Sequence, residues 1–410
     1  MSGVQTQYDI LNNEGRYKEL FEYSEQNLDS GLEAKYWRLH ALWRMGNLDE
    51  ALETAKEYES EFVEDKQWNT KFLSRFSGIY TYMGEYDLGL RYCQRSLNIA
   101  EETNNWRQIS IELNGIALIY GYKGDVDLQL EYLHKSLAIL LSKQVDNTEG
   151  HIIVLGNIGR VYQSKGDSDN ALQNFQKAVV LAEEFGNPQL IGLQLTFLIY
   201  YHLIRNEPEN RFEVQSYLDR LGALQQNNDD KVINLYYDLC SARFLKNSSR
   251  NRDKVEAESL FRKIVNGENR NFEIKILAIY ELLELLIFEY KTYKEDEVLD
   301  EVHSYLSEIY EITQEKHMFP MLVSCLILRS KLKIVEGALE GGLKYLEQAI
   351  LTAEEKGLTM WLEQALTEKS KITQEYQEMK KLIENNVSLS ERMDKIAVLD
   401  YLKIAQKISV

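Results

Sequence analysis

The chain has 410 residues, 47 Lys and Arg against 65 Asp and Glu, and a net charge of −18. That balance opposes attraction to phosphate backbones and anionic lipid, which argues against a nucleic-acid or membrane-surface partner. The length exceeds one ordinary core, leaving two or three domains or a repeat array that grows in one dimension. With only three prolines and charged residues interleaved with Leu, Ile, Ala and Tyr throughout, the composition favours helix from end to end.

The first residues, MSGVQTQYDILNNEGRY, lack the basic start and apolar core of a secretory signal, so a cytoplasmic location is expected. Self-similarity then organises the chain. A weak copy, GRYKELF, starts at Gly15, followed by GNLDEAL at Gly46, GEYDLGL at Gly84, GDVDLQL at Gly124 and GDSDNAL at Gly166. The stretch 206–319 leaves room for three degenerate copies, placed at Asn206, Asn251 and Lys291, before GALEGGL at Gly337. The count is about nine helical hairpins, with 389–410 departing from the pattern.

Each copy reads as helix, short turn, helix. Leu73, Phe76, Ser77 and Tyr80 fall at helical spacing before one turn, as do Leu113, Ile116, Ala117 and Tyr120, and Leu155, Ile158, Gly159 and Tyr162. Ala171, Phe175 and Ala178 form a second stripe after the turn. Small residues in these stripes allow close helix packing, and the turn glycine ends the first helix in the left-handed region. Pro188, Pro208 and Pro320 are expected in interhelix turns. The most apolar runs, 190–204 and 276–290, are too short to span a membrane and read as buried helices.

This arrangement resembles the tetratricopeptide repeat. Residues 155–178 supply that family's Leu, Gly and Tyr on the first helix and its Ala, aromatic and Ala on the second. The period near 40 and the extensions AEETNN, AEEFGNP and AEEKGL resemble the longer repeats of kinesin light chain, Pins-type adaptors and bacterial peptide-pheromone receptors. The resemblance implies an all-α fold, a right-handed superhelix (an α-α solenoid) of about nine hairpins over 1–388. It is clearest over 32–188 and 320–357 and degenerate over 206–319. The segment 389–410 is then a C-terminal capping helix, with a dimerisation helix as the alternative; monomer or homodimer stays open.

No phosphate-binding loop, HExxH or GxSxG motif occurs, and GNIG at Gly156 lies inside a helix. Cys93, Cys240 and Cys325 are far apart, and the six histidines are scattered, so the expectation is no catalytic residue, no metal and no cofactor. In the arrays this chain resembles, Asn and Arg on the first helices hold an extended peptide by its amides. That implies peptide-binding residues at Arg75, Asn114, Asn157, Arg160 and Tyr200. The expected role is a non-enzymatic scaffold for a protein or peptide partner; the alternative is a peptide-responsive regulator whose superhelix changes pitch. Two polar loops, QQNNDDK at 225–231 and the basic KNSSRNRDK at 246–254, read as turns, the second also as a docking patch for an acidic partner.

Overall fold

The computed structural model describes residues 6–13, 16–143, 145–205, 210–228, 230–267 and 271–408. They form two compact units, Met1–Asn147 and Thr148–Val410. The first holds α1 (Gln7–Asn13), α2 (Tyr17–Gln26), α3 (Leu32–Met45), α4 (Leu48–Phe62), α5 (Lys66–Tyr82), α6 (Tyr86–Glu102), α7 (Trp106–Lys123) and α8 (Val126–Ser142). The second holds α9 (Thr148–Ser164), α10 (Ser168–Phe185), α11 (Pro188–Arg205), α12 (Asn210–Asn227), α13 (Lys231–Lys246), α14 (Asn251–Asn266) and α15 (Phe272–Tyr293). It continues with α16 (Asp296–Glu315), α17 (Phe319–Val335), α18 (Leu339–Glu355), α19 (Thr359–Glu384), α20 (Leu389–Lys395) and α21 (Val398–Ile408). The fold is an all-α repeat of hairpins, α1 and α2 through α17 and α18, with no strand among the described residues.

The repeated glycines act where the sequence puts them. Gly46, Gly84, Gly124, Gly166 and Gly337 have φ of 79°, 71°, 79°, 77° and 100°, a region open to glycine at little cost. The Asp that follows Gly124 and Gly166 then caps the next helix: Asp125 Oδ1 accepts from the Leu128 N–H at 3.1 Å, and Asp167 Oδ1 from the Asn170 N–H at 3.2 Å.

The degenerate region keeps the hairpins but shifts their turns. The α13–α14 turn occupies 247–250, just ahead of Asn251, so Arg252 and Lys254 are already helical rather than part of a long loop. The next turn comes at Lys294 (φ 59°), not Lys291, because the buried face of α15 runs on through Tyr290 and rewards continued helix. The turns expected at Gly15 and Asn206, and Pro208, lie outside the described residues. Pro188 and Pro320 sit in the first turns of α11 and α17 rather than in loops, where the missing N–H is not needed.

Close packing explains the helical glycines. A Cβ on Gly159 of α9 would lie 2.7 Å from the Phe175 ring of α10, and Phe175, Ala171 and Ala178 are fully buried. Gly342 of α18 meets Ile334 of α17 in the same way. The apolar runs 190–204 and 276–290 lie in α11 and α15, and the three cysteines are buried and unpaired. Among the described residues no helix is long and apolar enough to cross a membrane.

Beyond α19 the chain turns back. Helix α21 packs on α15 and α17, with Tyr401, Leu402 and Ala405 buried. The buried Lys331 ammonium of α17 donates to the Ile396 carbonyl at 2.7 Å and pairs with Glu368 of α19 at 2.5 Å. Helices α20 and α21 therefore lay apolar residues on first helices of their own unit.

Candidate functional site

In the second unit the first helices α9, α11, α13 and α15 pack in succession. Arg160 and Asn157, one turn apart on α9, are half-buried, and the Arg160 guanidinium lies over Phe197 of α11 at 5.3 Å. Gly156 beside them leaves room for Gln194 of α11, whose amide would collide with a Cβ there. Tyr200, one turn beyond Phe197, is buried and carries the Arg243 guanidinium of α13 over its ring at 4.6 Å.

Arg243 leads into a buried charge network. Its Nε donates to Glu281 Oε1 on α15 at 2.7 Å. The Lys246 ammonium, one turn along α13, reaches both Glu281 and Glu284, the latter at 2.6 Å. Burial alone would raise the Glu281 carboxyl; Lys246 and Arg243 outweigh it and hold the group below its ordinary range. Burial pushes the Tyr200 hydroxyl up to about 12, with Arg243 the strongest of the charges that oppose it. Arg243 Nη2 has no hydrogen-bond partner.

Glu273, at the solvent-exposed start of α15, also feels Arg160. Thus Asn157, Arg160 and Tyr200 fall in one neighbourhood of the second unit.

Arg75 and Asn114 belong to the first unit. Arg75 of α5 stacks on Trp43 of α3 at 4.1 Å and reaches the Tyr36 hydroxyl at 3.4 Å. Its guanidinium is thereby built into an aromatic surface that also holds His40. Asn114 is half-buried on α7. Two residues before it, Glu112 is fully enclosed, accepting from Ser96 Oγ at 2.9 Å and Cys93 Sγ at 3.0 Å.

The sequence reading missed Arg243, Lys246, Glu281 and Glu284. Their only signal was placement: acids inside the apolar run 276–290, and cations three residues apart near the end of α13. Among the described residues no group of His, Cys, Asp and Glu is arranged to hold a metal ion.

Residues 107–184, spanning α7 to α10, match the family model for the tetratricopeptide repeat. Residues 107–184 carry tetratricopeptide repeats. A search of curated proteins finds no match. Among solved structures, this chain is similar to a signal transduction ATPase with numerous domains, with a tetratricopeptide repeat sensor, from Pyrococcus horikoshii. The TM-score is 0.54 at 17% identity, over 77% of this chain and 48% of that one. It is also similar to a Rap protein complexed with competence and sporulation factor, with a TM-score of 0.51 at 16% identity, over 70% of this chain and 76% of that one. At such identities the likeness is one of fold.

Proposed function

We propose that this chain is a non-enzymatic interaction scaffold whose second unit holds an extended peptide segment of a partner protein. The peptide lies on the first-helix face carrying Asn157 and Arg160, next to Tyr200, which is buried and available to it only through its neighbours. The observation that supports this reading is the placement of half-buried Asn157 and Arg160 one turn apart on α9, with the Arg160 guanidinium over Phe197 of α11. A peptide offers regularly spaced donors and acceptors; Asn157 supplies both, and the guanidinium of Arg160 supplies a fork of donors. In the first unit, Arg75 and Asn114 are the corresponding candidates on α5 and α7. The solved Rap complex, in which a repeat protein of this fold carries a bound factor, is consistent with such a role.

The test is selection of random peptides on the full chain, repeated with an Asn157→Ala, Arg160→Ala variant shown to be folded. Peptides that bind the native chain and not the variant support the reading. Peptides retained by both place binding elsewhere, and an absence of binders sinks it.

A second reading, a peptide-responsive regulator, is favoured by one observation. The network Tyr200–Arg243–Glu281–Lys246–Glu284 ends on Gln406 of α21. A ligand that draws on Arg243 would redistribute Lys246 between its two carboxylates and loosen the C-terminal helix. Faster amide exchange in α21 on peptide binding would support regulation; unchanged exchange would leave a rigid scaffold.

A further inference from the structure

A different surface lies along the hairpin-turn edge of the second unit. Arg211 and Phe212 open α12; Arg250 closes the α13–α14 turn, and Arg252, Lys254 and Val255 follow at the start of α14. Phe288 and Tyr293 end α15. Side-chain contacts link these helix ends: Asn247 Nδ2 donates to the Leu203 carbonyl at 3.3 Å, Arg211 lies over Phe244 at 4.5 Å, and Lys254 over Phe288 at 4.8 Å.

Two independent features set this edge apart. Phe212 is 83% exposed, Val255 and Tyr293 66%, and Phe288 54%, large apolar side chains that stand more than half open to solvent. In addition, Arg211, Arg250, Arg252 and Lys254 enter none of the ion pairs among the described residues, and Asp253 is turned onto the Ser248 hydroxyl at 2.6 Å. Arg211, Arg250 and Arg252 are exposed, so their guanidinium groups stand open to carboxylates brought by a partner. The Arg211 guanidinium and the Lys254 ammonium lie over the Phe244 and Phe288 rings as cation–π contacts, joining the charged and apolar parts of the edge.

We propose that this edge docks an acidic, partly apolar segment of a partner protein. Its Asp or Glu side chains pair with Arg250 and Arg252, whose planar forks suit carboxylates, and its Leu- or Phe-like side chains cover Phe212, Val255 and Phe288. A protein segment fits better than an extended polyanion, since the chain-wide negative charge repels a long phosphate backbone and the apolar side chains find no counterpart on one. This edge uses none of the side chains Asn157, Arg160 and Tyr200.

The experiment displays two peptide libraries to the immobilised full chain, one of Asp, Glu, Leu, Phe, Ser and Gly, and one with Asn and Gln in place of the acids. Phosphatidylserine vesicles and single-stranded RNA serve as parallel probes. The acidic library should enrich binders whose affinity falls at least about tenfold for Arg250→Glu with Arg252→Glu, declines with added salt, and persists in Asn157→Ala, Arg160→Ala. A Phe212→Ser, Phe288→Ser variant, which leaves every charge in place, should weaken the same binders. No enrichment, equal enrichment of the amide library, indifference to both edge variants, or stronger capture by vesicles or RNA would overturn the proposal.

Discussion

Gln406 of α21 donates from Nε2 to Glu284 Oε2 on α15 at 3.0 Å, and the same nitrogen lies 3.2 Å from the Tyr280 carbonyl. Because Glu284 also takes the Lys246 ammonium at 2.6 Å, the anchor of the last helix and the charge network beneath Tyr200 share one carboxylate. Gln406→Ala should cost about 1 kcal/mol of α21 docking. Hydrogen exchange on the full chain should then quicken across 398–405 while α17 stays protected. Unaltered exchange would mean that Tyr401, Leu402 and Ala405 hold the helix without that bond.

Gly159 and Gly166 are both required, for different reasons. Gly159→Leu drives a side chain into the Phe175 ring and should destabilise by roughly 1–3 kcal/mol through overpacking. Gly166→Ala meets nothing within 4 Å, yet its φ of 77° should cost about 1–2 kcal/mol for an L-residue. Thermal midpoints test both, and a neutral Gly159→Leu would contradict the α9–α10 packing.

Two buried groups of the first unit predict opposite pH slopes. His40, whose Nε2 lies 2.8 Å from Asn12 Oδ1, is held well below its usual range by burial, then by Arg75 and Arg44. Below about pH 6.5 the unfolded imidazole takes a proton that the folded one refuses, so stability falls as pH drops through that value. His40→Gln should flatten this loss in urea midpoints compared between acidic and neutral pH. Burial raises the Glu112 carboxyl, so its contribution is greatest at acidic pH and is lost as pH rises through the carboxylate range. Glu112→Gln should therefore gain on the native chain as pH rises toward neutral.

Arg160 and Arg243 separate surface chemistry from structural chemistry. Arg160→Ala should leave stability within about 0.5 kcal/mol, whereas Arg243→Ala strips one cation from the buried Glu281 and should cost up to about 3 kcal/mol. Chemical denaturation distinguishes them. A large loss at Arg160 would place that side chain in the core and remove it from the proposed peptide face.

The sequence by itself determined the repeat: glycine at fixed offsets, small and aromatic residues in register, and few prolines are local constraints, and each hairpin obeys them through contacts with its neighbours. Even the degenerate copies kept their hairpins, since helical periodicity survives loss of the turn glycine. Only the tertiary structure decided what lies between distant helices. Arg243 meets Glu281, Lys331 meets Glu368, and Gln406 returns to Glu284 across more than a hundred residues. No period in the chain encodes such pairings, because a buried charge is fixed by whichever partner the fold brings within reach of it, and that partner carries no local signature.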